Sequence, residues 1–352
     1  MSGSIPIPIP LSETSVPVNA TFLGQVTGSI RLSIKGVLRV RVEPPDGGGG
    51  GTTPPPVFVV GETYPDETTV GAGIIRPYPT NVVTTATTFT GTSTEPIVDT
   101  IFENLVTIDG NGFEFENCVF RGPVTRTTNA GNLINVFSDS SGTVLRYCDI
   151  NPQTPLSYWN GIGYKNYRLE QCHVWGCTDA FAAFALQDDP DPSVNVKIIG
   201  TWAEKLSQFK PDEAGNRDVT HNDVIQCQGN VGPDDDILID GSRFDAYHSL
   251  EQSDPTPPQH TQISAIMMTP SGSCQDRVCL TARRSWFTGG IFTLNATAPS
   301  LGLSVLVLED NIWEKPRSGG PSAAIAIDTV LTDRVVTGNV YEDGTDVPIY
   351  NG

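Results

Sequence analysis

Phe113-Glu-Phe-Glu-Asn-Cys-Val-Phe120 is the stretch on which the reading of this chain turns. Two apolar residues one apart are followed by a short polar step, a small residue and a large apolar one. The phrase returns at Leu145, Cys148 and Ile150, and again at Leu169, Cys172 and Val174. A degenerate copy stands at Gly200 and Trp202. It resumes at Ile237, Ile239, Ser242 and Phe244, at Leu280, Ala282, Ser285 and Phe287, at Leu306, Leu308, Asn311 and Trp313, and at Val336, Asn339 and Tyr341. The small residues are separated by 30, 24, 28, 42, 43, 26 and 28 positions, and most of these intervals fall in the range that marks a solenoid.

Alternate apolar residues such as Ile237 and Ile239 turn one side of a strand inward, and a pair such as Asp240-Gly241 lets the chain bend before the next strand. The phrase therefore describes strand, turn, strand. With period-2 patterning and almost no helical periodicity, it predicts an all-β, right-handed parallel β-helix with a small N-terminal β segment for attachment. Cys118, Cys148, Cys172, Ser242, Ser285, Asn311 and Asn339 form the expected structural ladder, because the anchor must be small and must stack on its equivalent one coil away. Seven intervals at roughly 4.8 Å would span on the order of 34 Å. The competing arrangement, an antiparallel sandwich with chance similarity between strands, gives no reason for a small residue held between two core positions.

Bulk properties narrow the partners. The 352 residues carry a net charge of −19, which opposes contact with nucleic acid or an anionic membrane and favours protein or neutral glycan. No stretch is apolar over the length of a membrane span, and Met1 to Leu11 lacks the basic and apolar blocks of a secretory signal, so synthesis and assembly in a cytoplasm are expected. Of the seven cysteines, three sit at anchors as reduced core thiols, while Cys274 and Cys279 are close enough in sequence for pairing to stay open. The four histidines keep no ligand spacing with the cysteines, so no metal site is assigned.

Three segments follow in order. Residues 1–46 hold an extended Ile-Pro arm (Ile5, Ile7, Ile9) and an alternating stretch from Ile30 to Val42 whose polar side carries Arg31, Lys35, Arg39 and Arg41. Gly36 marks a turn or bulge within that stretch. These arm and cationic residues are the attachment candidates: this segment sums to +1 against −20 for the remainder, although solvated cations on a small β-unit would give the same balance. Residues 47–56 join a glycine run to Pro54-Pro-Pro56, a linker composition, and residues 57–352 make up the β-helix domain. Tyr64 to Tyr78 is expected as a capping first coil, and residues 203–222 and 245–262 as loops leaving the stack.

The stretches Tyr64-Pro-Asp-Glu-Thr-Thr-Val-Gly-Ala-Gly, Val106-Thr-Ile-Asp-Gly, Phe115-Glu-Asn-Cys-Val-Phe-Arg-Gly-Pro and His221-Asn-Asp-Val-Ile-Gln resemble right-handed β-helix proteins of the pectate-lyase-like superfamily. The nearest likeness is to the minor tail proteins and tailspikes of actinobacteriophages, over roughly residues 60–345. The resemblance implies a homotrimer in the virion tail, assembled in the host cytoplasm, touching other tail proteins and a host cell-surface glycan. Its motifs mark architecture more than chemistry.

The alternative is a polysaccharide depolymerase, lyase or hydrolase, on the same scaffold. His221 and Asp223 are its weak catalytic candidates, since glycoside cleavage needs two carboxylates facing each other across the bond. No basic residue matches the base motif of the superfamily's lyases. The acid clusters Asp188, Asp189 and Asp191, and Asp234 to Asp236, are read either as solvated turns beside Pro190, Pro192 and Pro233 or as structural calcium ligands; no other cofactor is implied. Tyr158, Trp159 and Tyr164 are the glycan- or receptor-binding candidates, with turn packing or a subunit contact as the other reading.

Overall fold

The computed structural model describes residues 20–22, 40–42, 63–125, 131–137, 140–155, 159–185, 193–208, 222–229, 236–251, 263–270, 279–296, 305–316, 322–327 and 333–351. The chain divides into two units, Met1–Pro54 and Pro55–Gly352, within the Gly/Pro stretch. In the first unit, Ala20–Phe22 pairs in parallel with Val40–Val42. Ile5, Ile7, Ile9, Arg31, Lys35, Arg39 and the expected turn at Gly36 lie outside the described residues. Arg41 falls within a described strand.

The second unit is a right-handed parallel β-helix with three walls. Among the described residues the first wall has ten strands, from Thr87–Thr92 to Ile349–Asn351. The second has nine, from Ile97–Val98 to Asp333–Thr337, and the third has ten, from Asn81–Val83 to Val340–Tyr341. Every neighbouring pair within the walls is parallel, and each coil visits the walls in that order.

The apolar positions of the phrase become inward columns. Phe115, Leu145, Leu169, Ile198, Ile239, Ala282 and Leu308 stack in the second wall. Phe102, Phe120, Ile150, Val174, Ala203, Phe244, Phe287, Trp313 and Tyr341 stack in the third. One buried cluster fills the space between walls, as expected when each coil buries its inner face on its neighbours.

Between the second and third walls, every coil turns on two residues among those described. The first is left-handed in all nine coils: Asp99, Asn117, Tyr147, Gln171, Gly200, Gly241, Arg284, Asp310 and Gly338, with φ between 50° and 65°. The second is the anchor, and the register runs Thr100, Cys118, Cys148, Cys172, Thr201, Ser242, Ser285, Asn311, Asn339. The degenerate copy is thereby corrected: Gly200 supplies the left-handed bend, and Thr201 is the anchor. Eight intervals at about 4.8 Å give on the order of 38 Å from the first anchor to the last.

The anchors need polar atoms as well as small size. Cys172 N donates to Thr201 Oγ1 (3.3 Å), Thr201 N to Ser242 Oγ (3.2 Å), Ser242 N to Ser285 Oγ (3.0 Å) and Ser285 N to Asn311 Oδ1 (3.0 Å). Each side chain thus satisfies the amide that the bend withdraws from the sheet. The three thiols fill the same column lower in the stack and are fully buried, and burial pushes the Cys148 thiol well up from its ordinary value. Cys118, Cys148, Cys172, Cys177 and Cys227 are free; Cys274, the partner offered for Cys279, lies outside the described residues.

A left-handed residue with a Cβ costs about 1–2 kcal/mol, and a glycine there returns part of that as unfolded-state entropy. Gln171→Gly, which keeps the backbone contacts of the bend, is therefore expected to stabilise the coil by about 0.5–1 kcal/mol. Thermal unfolding followed by circular dichroism checks this, and a lower midpoint would refute it.

Two sequence expectations change. Tyr64 to Tyr78 does not form a coil; the stack begins at Asn81, and the preceding segment runs lengthwise along it. The two long excursions leave the stack later than expected, because Trp202–Glu204 and Arg243–Asp245 still belong to the third wall. Leu206–Gln208 and His248–Glu251 then pair in parallel as a small side sheet, so that the excursions begin as ordered structure. Residues 209–221 and 252–262 lie outside the described residues.

Candidate functional site

The position after each anchor points away from the core, and in the third wall it forms an outer file: Asp149, His173, Trp202, Arg243 and Trp286 in successive coils. Stacking at strand spacing brings their flat groups together. The His173 and Trp202 rings lie 4.6 Å apart with planes 5° from parallel. Arg243 sits between two indoles, 5.1 Å from the Trp202 centroid and 4.6 Å from that of Trp286, a double cation–π arrangement. Trp175 adds a ring 4.2 Å from His173.

Carboxylates border the file. Glu204 Oε1 is 3.3 Å from His173 Nε2 and accepts from Lys205 Nζ at 2.8 Å. Burial pushes Glu204 up, but these two partners outweigh it and hold the carboxyl below its ordinary value. Asp245 is raised by burial. Asp149, also raised by burial, reaches about 6 despite accepting the Ala72 amide at 2.9 Å.

The segment from Tyr64 to Tyr78 lies over this file as a strap. The Tyr64 ring meets Trp286 edge-on at 5.5 Å. Gly71 N donates to Gln171 O (2.9 Å), Gly73 N to Asn117 Oδ1 (2.7 Å), and Asn117 Nδ2 to Pro77 O (2.9 Å). Arg76 pairs with Glu116 and lies 3.7 Å from Asp99. Under the strap, Trp202 is only 6% exposed, and Trp202 Nε1, Arg243 Nε and Trp286 Nε1 are buried donors that meet no acceptor among the described residues.

A second group of titratable residues lies at the corner between the third and first walls. Asp179 Oδ1 accepts the Asp223 amide at 2.8 Å, and Asp223 Oδ1 accepts the Ser264 amide at 2.9 Å, so that each carboxyl caps the N–H one coil on. Burial pushes Asp179 up to about 7; burial and then the neighbouring Asp179 push Asp223 well above its ordinary value. Asn222 donates to Thr178 O (3.0 Å) and Ser207 O (2.5 Å), tying the side sheet to the stack.

These positions bear on the sequence candidates. Asp223 is fully buried, with Oδ1 capping the Ser264 amide and Oδ2 without a partner among the described residues, an environment unsuited to an acid or base that must reach a glycosidic oxygen; His221 lies outside the described residues. Trp159, offered as a ring for a sugar face, is 1% exposed: Gly122, at φ +63°, closes on it so tightly that a Cβ there would come within 2.7 Å of the indole. Its bulk belongs to the packing of the coil. Tyr164 is half-buried and packs edge-on to Phe184 at 5.1 Å, while Tyr158 lies outside the described residues. Asp236 is 3.3 Å from Lys197 Nζ; Asp188, Asp189, Asp191, Asp234 and Asp235 lie outside. Among the described residues, no three His, Cys, Asp or Glu side chains are grouped to hold a metal.

The sequence reading passed over Asp149, His173, Arg243 and Trp286, and it took Trp202 as the large apolar residue of the degenerate copy, a place the register gives to Ala203. Their signal was present, one place after each anchor, but it shows only when the repeats are compared down that position. Comparisons with family models, curated proteins and solved structures return no match to this chain.

Proposed function

We propose that the chain is a structural protein of a phage tail, a tailspike or minor tail protein. It attaches to the tail through residues 1–46 and presents its β-helix to the host surface or to neighbouring tail proteins, as a homotrimer. The observation that carries this reading is the unbroken stack of nine coils: in-register columns make a stiff support whose outer faces and corner excursions are free to vary without disturbing the core. The N-terminal unit lies beyond a glycine- and proline-rich joint, the composition of a tether.

Deleting residues 1–46 should leave a folded β-helix that no longer incorporates into virus particles; normal incorporation would refute the attachment role. The mass of the intact assembly checks the trimer. Incubation with host envelope polysaccharide checks the depolymerase alternative, because new reducing ends or unsaturated products would require an active centre.

A further inference from the structure

The three walls differ in the charge that they turn outward. On the second, Glu116, Arg146 and Glu170 stand in successive coils, and Arg146 reaches Glu170 at 2.7 Å. Higher in the same wall Asp240 and Arg283 pair at 2.8 Å. On the third, the outer file from Asp149 to Trp286 lies beneath the strap. The ten strands of the first wall hold two charged residues, Asp109 and the buried Asp223.

The outer positions of that wall alternate with core residues such as Ile134, Ile225, Ile266, Leu294 and Ile325. Register carries one outer file from Thr88 in the first of its strands to Tyr350 in the last. Through the middle it reads Asn135, Gly163, Ala182, Gln226, Met267 and Asn295. Not one of its members is charged, in a chain whose net charge is −19. Gln226 and Met267 are half-buried, and Tyr350, which is 53% exposed, closes the file with its ring stacked 6.1 Å from that of Phe292. Asp109 stands two residues to the side of the file at Thr107.

We propose that the first wall is the surface through which three copies of this chain pack side by side, an inference that rests on the trimer reading above. Symmetry supplies the reason. In a ring of parallel rods, a residue that faces the axis meets its own equivalents at the same height, so a charge there meets like charges and repels them. A file without charge meets that condition. The side-chain amides of Asn135 and Gln226 suit it further, because an amide carries both donors and an acceptor and can bond its own copy. Met267 and Tyr350 bring apolar surface to theirs. The second wall fails the condition, since Glu116, Arg146 and Glu170 would each face themselves. Strands at about 4.8 Å spacing and about 17 Å across make a ten-stranded face on the order of 700 Å² per copy, close to the roughly 800 Å² that a stable interface uses.

Sedimentation of the full chain tests the interface. The wild type should run at the mass of three chains. Gln226→Lys combined with Met267→Lys, which brings two layers of like charge to the axis, should run at the mass of one chain with an unchanged far-ultraviolet spectrum. Thr281→Lys, the same change on the outer side of the second wall, should leave the mass at three. A second measurement decides the matter if the double variant loses its fold: on oxidation with diamide, Met267→Cys should give linked pairs on a denaturing gel above the wild-type level, and Thr281→Cys should not. A wild type that sediments as one or two chains overturns the trimer and the interface with it, leaving the wall to a glycan or another tail protein. A trimer that keeps its mass in the double variant, or that links through Thr281→Cys and not through Met267→Cys, overturns the interface alone.

Discussion

Asn311→Ala is expected to be among the most damaging single changes in the anchor column, destabilising the protein by about 3–5 kcal/mol. Asn311 is fully buried and serves three coils at once: Nδ2 donates to Ala282 O and to Asn339 Oδ1, both at 2.9 Å, and Oδ1 accepts the Ser285 amide at 3.0 Å. Truncation strands the Ser285 N–H and the Ala282 carbonyl in the core, at about 1–3 kcal/mol each, and leaves a cavity besides. Asn339 Oδ1 keeps its bond from Trp313 Nε1, so the loss falls mainly on the coils below it. Ser285→Ala removes only the acceptor for Ser242 N together with its own bond to Arg283 O, and should cost about 1–2 kcal/mol. Urea unfolding of the two variants measures the difference. Equal, small losses would mean that these side chains fill the bend without supporting it. Because solenoid stability is a sum of neighbour terms, hydrogen exchange in Asn311→Ala should rise first in residues 305–351.

The second large effect is a dependence of stability on pH that centres on Asp179 and Asp223. Both carboxyls have folded-state pKa values raised by burial, so their contribution is complete below about pH 4 and is lost as pH rises, through about 7 for Asp179 and above the ordinary carboxylate range for Asp223. Asp223→Asn keeps an oxygen for the Ser264 amide, removes one buried charge and relieves its neighbour. The variant should match the wild type near pH 4.5 and exceed it at pH 8, because the buried charge that the wild type must then carry is gone. Denaturant unfolding at the two pH values decides it. If the variant shows the same loss of stability between them as the wild type, the pair is not the source.

Much of the architecture could be read from the residues in order. Alternation around Phe115, Leu145, Ile237 and Leu306 identified the inward columns, and the small residue two places beyond each strand located the bend. Both signals are local: each coil repeats the same strand–bend–strand geometry and states its pattern within about ten residues. The reading slipped by one at Gly200, where a left-handed position and an anchor are adjacent and glycine satisfies the description of either; the register with Cys172 and Ser242 resolves it to Thr201. At Trp159 it left sugar stacking and turn packing both open, because an aromatic residue beside a glycine looks the same in sequence whether it faces water or is closed over by Gly122; the burial fits turn packing.

Windings, inward columns and the anchor ladder are thus properties of the chain's own periodicity, since a repeating pattern can bury its apolar face only by stacking on its next copy. The strap, the paired carboxyls at the corner and the file from Asp149 to Trp286 arise only in three dimensions. They join residues tens to hundreds of positions apart, and which of them meet is set by the number of coils between them and by the path of the segment laid across the outside. No local rule encodes those two quantities.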